Sequence, residues 1–322
     1  MNVDQFTEIA RQRSYLLKVY RGLPAKAKAV LQLMAVAYEA IEFPAVIDAC
    51  NELHYLDQRY PKFTRSTFKP VLTELLAQDL LLPVRQGGYR CDELLVEILT
   101  RAVVEAGVFE AMTEAIEETL PLTYLGSSDK IFFQSRDQFI RMARWAIYRH
   151  QLDEVPRLLK MLEDYADVGV TITVEEVMSM VFHNPFDPDW ARTFPQPVVE
   201  VMLELALRGG LQSLAPMQAQ FDCLEEICLD PAVPCSDQFL LCGVEQFILR
   251  NQMSHAEICL NRISSEMQGG ISQYWAWLAF LRGNGDRAIE LYELAYATLK
   301  NHCENAKFSL MICLVYFSFW LW

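Results

Sequence analysis

The stretch YWAWLAFLRGNGDRAIELYELAYATLK, residues 274–300, decides the fold, because its small and large apolar residues fall where a two-helix repeat must interlock. Trp275, Leu278 and Phe280 fill a first helix, and Gly283-Asn284-Gly285-Asp286 breaks it. Ala288, Tyr292 and Ala295 then recur at spacings of four and three residues, the signature of one face of a second helix. Small side chains at Ala288 and Ala295 permit close approach, while Trp275 and Tyr292 fill the space between the helices. Pairs of this kind bury their apolar faces by stacking on one another, so the expected architecture is mainly α, with a helical solenoid.

The final pair resembles a tetratricopeptide repeat. Earlier pairs follow at residues 139–148 with 155–165, where Ala143 and Ala146 take the close-packing positions, and at 239–249 with 256–267. Another is expected at 198–207 with 211–228, interrupted at Gly209-Gly210. Ala256 and Ala288 stand 32 residues apart, against about 34 in that repeat. The other pairs do not keep the register, which predicts a degenerate α-solenoid over 137–322. An array of this type offers an extended concave surface for a protein or peptide. Residues 184–190, NPFDPDW, are expected as a turn-rich insertion on a binding face.

With 52% hydrophobic residues, 13 Gly and 14 Pro in 322 residues, the chain is not a disordered one. Its net charge of −14 is unevenly divided. Residues 1–90 hold 12 Lys+Arg against 9 Asp+Glu, and residues 91–322 hold 16 against 33. The first ninety residues can meet a polyanion, and the remainder repels one. Nine cysteines without a Cys-x-x-Cys pair suit reduced, buried thiols in the cytoplasm. Residues 1–13 lack the apolar core of a secretory signal.

Apolar spacing predicts short helices over 30–40, 44–53 and 68–82, with Thr64 or Ser66 as N-cap of the third and Pro70 tolerable only in its first turn. LLLPVRQGGYRC, residues 80–91, reads as two strands joined by a glycine turn, and a strong helical period resumes over 92–106. Three helices and a hairpin form a winged-helix pattern, expected as a domain over 1–118 with a linker at 119–136. Gly88-Tyr89-Arg90 leading into Leu94-Leu95-Val96 resembles the winged-helix modules that precede helical repeats in large bacterial regulators of the maltose-activator type. On this reading Thr64, Arg65, Ser66 and Lys69 front the third helix, and Arg85 and Arg90 sit on the wing, as contacts to duplex DNA.

The motifs of catalysis are not found. Gly283-x-Gly285 lies between helices and lacks the lysine of a phosphate loop. His255 and Cys259 have metal-ligand spacing without further ligands, and the sevenfold spacing of Cys228, Cys235 and Cys242 is broken by Pro231 and Pro234. Glu117-Glu118, Glu175-Glu176 and Glu225-Glu226 point about 100° apart on a helix and make no acid–base pair. No cofactor is expected. Residues 308–322 are almost wholly apolar, yet shorter than the ~20 residues of a membrane span, so they are expected to pack on a neighbour or to mark a truncated chain.

The run GNGDRAIELYELAYATLK, residues 283–300, resembles the amino-terminal accessory region of large bacterial Swi/Snf-type DEAD/DEAH-box helicases. That resemblance implies a noncatalytic scaffold whose ATPase core lies beyond residue 322. The alternative is a free-standing winged-helix transcription regulator with a repeat-based sensor.

Overall fold

The computed structural model describes residues 3–85, 87–124, 131–165, 172–213, 217–264 and 268–305. The apolar segment 308–322 lies outside them. The fold is mainly α, with sixteen helices and two short hairpins among the described residues. None of these helices is long and apolar enough to cross a membrane. The chain divides into two compact units, Met1–Phe194 with Arg208–Pro216, and Pro195–Leu207 with Met217–Trp322, in each case over the described residues.

The first unit begins with α1 (Val3–Gly22), α2 (Ala25–Ala37), α3 (Phe43–Leu56) and α4 (Arg65–Ala77). Helix α2 is nearly all apolar and buried on most of its circumference, which makes it a central rod. It stops where Tyr38 takes a left-handed φ of 63° and sends the chain to Ile41. Helix α3 opens with Pro44 in its first turn, where the missing N–H costs nothing. The expected third helix over 68–82 starts earlier and ends at Ala77. Pro70 stands sixth in it, beyond the first turn; the Ser66 carbonyl it cannot serve lies on an exposed residue that solvent reaches.

Strands β1 (Leu81–Pro83) and β2 (Tyr89–Cys91) pair antiparallel, Leu81 opposite Cys91 and Pro83 opposite Tyr89. Tyr89 also bridges Ile41 on its other edge, with mutual N–H···O bonds of 2.9 Å. The hairpin turn needs glycine at Gly88, whose φ is 84° and whose absent Cβ would stand 2.7 Å from the Ile41 carbonyl oxygen.

Helix α5 (Glu93–Glu105) follows, capped by Asp92, then α6 (Phe109–Thr119). Within the expected linker, β3 (Thr123–Tyr124) pairs antiparallel with β4 (Ile131–Phe132), and Ile131 and Phe133 are buried. Residues 137–194, grouped with the repeats by sequence, lie in the first unit as α7 (Arg136–Tyr148), α8 (Glu154–Tyr165), α9 (Val174–His183) and α10 (Pro188–Ala191). In the expected binding-face insertion at 184–190, residues 184–188 are half-buried and Asp189 is exposed, and only Trp190 joins the core. Trp190 is buried among Phe182, Phe194 and Tyr148, and apolar area of that size is worth more inside than at a surface.

Beyond it lie α11 (Gln196–Ser213), α12 (Gln218–Leu229), α13 (Asp237–Leu249), α14 (Met253–Arg262), α15 (Gln268–Leu281) and α16 (Gly285–Asn305). Helix α11 runs through Gly209-Gly210 rather than breaking there, although each glycine costs about 1 kcal/mol in a helix interior. Helix α13 packs on α14, and α15 on α16. Between the last two, Gly283 takes a φ of 78°, and the Asn284 side chain accepts the Arg287 N–H at 3.2 Å.

Candidate functional site

The front of α4 is set by its cap. The Thr64 hydroxyl accepts the Thr67 N–H at 3.3 Å, and the Thr67 hydroxyl accepts the Thr64 N–H at 2.9 Å, a reciprocal box. The Ser66 hydroxyl lies 2.9 Å from that of Thr64. Because Phe68, Leu72 and Leu75 turn inward, Arg65, Ser66 and Lys69 share the exposed side of the helix. Arg85 is exposed on the hairpin turn. Arg65, Lys69 and Arg85 form no ion pair among the described residues.

Arg90, expected beside them, is diverted. It forms an ion pair with Glu93, approaches Asp137 at 4.0 Å and lies over the Tyr38 ring at 5.4 Å. Strand β2 aims it away from the wing because Glu93 is the first residue of α5 and Asp137 the second of α7. Together these groups border a cleft of about 310 Å³. Arg136 and Asn184 complete its rim, with Val96, Ile140 and Met180 as apolar lining.

Beneath the cleft is a buried polar network. The Arg144 guanidinium donates to Glu97 at 2.8 and 3.2 Å, to the Thr100 hydroxyl at 2.9 Å and to the Ala35 carbonyl at 3.2 Å. The Tyr148 hydroxyl donates to Glu97 at 2.6 Å, and the Trp145 indole to the Val36 carbonyl at 3.0 Å. Burial works against the Arg144 charge, but Glu97 and Tyr148 outweigh it and hold its pKa above the ordinary value. The Tyr148 phenol is pushed well above its usual range, by burial first and then by the Glu97 charge. Arg101 donates to the carbonyls of Pro185 at 2.9 Å and Val181 at 2.7 Å and lies over Trp190 at 4.5 Å. Sequence reading missed these arginines. The available signal was the placement of Arg141 and Arg144 three apart within residues 139–148 of α7, where every other residue is apolar or aromatic.

In the second unit Leu278, Ala288 and Ala295 are buried at the packing positions read from the sequence. Trp275 is half-buried. Tyr292 remains 37% exposed, so it does not fill the interhelix space as expected, and Phe280 of the first helix is 63% exposed. With 100° per residue, Ile289, Tyr292 and Tyr296 fall within about 60° of one another, beside the buried Ala288 and Ala295 face. Ile289 and Tyr296 are 60% and 70% exposed. Helix α16 therefore carries two adjacent apolar faces, one against α15 and one open among the described residues. His255 bonds to Glu225 at 3.0 Å. Cys259 lies with Cys228 against Gly243, whose added Cβ would meet their sulfurs at 3.6 and 2.9 Å. Comparison with family models, curated proteins and solved structures returns no match.

Proposed function

We propose that this chain is a noncatalytic interaction scaffold, a cytoplasmic accessory region of a larger bacterial Swi/Snf-type ATPase. It combines a winged-helix-like element, residues 25–91, with tetratricopeptide-like pairs in the second unit. The observation that carries the reading is the open apolar stripe of Ile289, Tyr292 and Tyr296 on α16, because exposed aromatic and β-branched residues aligned on one helix face favour a protein partner. Free thiols at Cys50, Cys91, Cys223, Cys228, Cys235, Cys242 and Cys259 fit a reducing compartment. The test is to read the source locus beyond the Trp322 codon in all three frames and to co-express any ATPase it encodes. Co-purification that is lost in an Ile289→Glu, Tyr296→Glu variant supports the reading. A locus without ATP-binding motifs, or co-purification indifferent to the variant, overturns it.

A second reading, duplex DNA binding by a free-standing regulator, is favoured by one observation: Arg65, Lys69 and Arg85 stand exposed around the front of α4, without ion pairs among the described residues. Each phosphate contact adds about 0.9 to the slope of log affinity against log salt, so Arg65→Ala with Lys69→Ala should lower that slope by about 2. An unchanged slope removes this face from the account.

A further inference from the structure

We propose that the cleft between β2, α5 and α7 is a binding site for a small zwitterion, an α-amino acid with an apolar side chain. The cleft's volume of about 310 Å³ matches that of about ten waters and stands at the lower end of small-ligand pockets. Its rim balances charge. Arg90 and Arg136 supply two cations, Glu93 and Asp137 two anions, and the third carboxylate, Glu97, is already matched by buried Arg144. A phosphate would meet the two carboxylates and a bare amine the two guanidiniums, whereas a ligand bearing both charges satisfies each sign.

The two ends of the ligand have distinct places. Arg136 is exposed and forms no ion pair among the described residues, so its fork is available to a carboxylate. Asp137 holds Arg90 only loosely, at 4.0 Å, and can accept an ammonium in its stead. Half-buried Tyr38 and Met180 offer apolar surface to the side chain, backed by the buried Val96 and Ile140. Occupancy would change the partners of Arg90, which stands in the strand that closes the hairpin, and so couples the cleft to the wing. This site is independent of what α16 binds.

The test uses the full chain and the twenty amino acids singly at millimolar concentration, read by thermal unfolding and then by calorimetry. The expected result is a raised midpoint with aliphatic or aromatic amino acids and at least about tenfold weaker binding of N-acetyl-leucine and of isoamylamine, which each lack one charge. Arg136→Ala should weaken leucine binding by about tenfold or more without changing the midpoint of the free protein, and Met180→Trp should block the cleft. The proposal is overturned if no amino acid raises the midpoint, if N-acetyl-leucine binds as well as leucine, or if Arg136→Ala binds as the parent does.

Discussion

Glu97→Ala strands a guanidinium in the core of the first unit. Arg144 is fully buried, and Glu97 receives two of its hydrogen bonds and the hydroxyl of Tyr148. Removing one partner of a buried ion pair costs about 3–5 kcal/mol, and leaving the tyrosine hydroxyl only the long 3.4 Å bond to the residue-97 carbonyl adds up to about 1 kcal/mol. The two losses belong to one network and do not sum fully, so about 4 kcal/mol is expected. With a urea dependence of about 2 kcal/mol per molar, the unfolding midpoint of that unit should fall by about 2 M. Urea titration followed by pulsed hydrogen exchange, read on peptides from α2, α5 and α7, isolates this unit from the other. Glu97→Leu with Arg144→Met should recover much of the loss, because an apolar pair of similar volume needs no compensation. A fall below about 0.5 M for Glu97→Ala would refute the claim that this network holds the core.

Gly88→Ala places a Cβ 2.7 Å from the Ile41 carbonyl oxygen at a φ of 84°; a loss of roughly 1–3 kcal/mol is expected, with faster exchange of the Tyr89 and Ile41 amides. Among Cys50, Cys91, Cys223, Cys228, Cys235, Cys242 and Cys259, half-exposed Cys235 should be modified first by a thiol reagent at neutral pH. Buried Cys50, its thiol pushed up to about 12 by burial, should react only on unfolding, as peptide mapping would show. Tyr38 and Tyr148 are held above the ordinary phenol value by burial, so their contribution to stability is whole below about pH 10 and is lost as pH rises beyond it. Urea midpoints taken through that range should decline, and phenolate absorbance should show a component that appears only with unfolding.

The elements that rest on local chemistry were legible. Thr64, the Gly88 turn and the Gly283 break each combine a residue preference with a helical or strand period, and each lies where that combination puts it. The helix ends were less so. Leu80 to Leu82 continue the apolar run of α4, so the expected helix over 68–82 overran into the strand that begins at Leu81 and pairs with β2. Arg90 shows the limit for the candidate interface, since its direction is fixed by Glu93 and by Asp137 from a helix that begins 46 residues later. Gly209-Gly210 misled because propensity is a weak preference, one that the buried Val199, Met202, Leu203 and Ala206 of the same helix override. No periodicity announces that Arg101 is interior, because its partners, the carbonyls of Val181 and Pro185, the Trp190 ring and Asp187, all lie 80 or more residues away in sequence.

The indole of Trp145 and the guanidinium of Arg144 bond to the carbonyls of Val36 and Ala35, at the end of α2. Those carbonyls are 109 residues away in sequence. The amino-terminal helices thus cannot be exchanged as a cassette. A recombination event, or a fragment cut at residue 118, would carry Glu97 without its cation and α2 without its covering helix. Whatever surface α4 presents, its inheritance is bound to α7, and the two must diverge together.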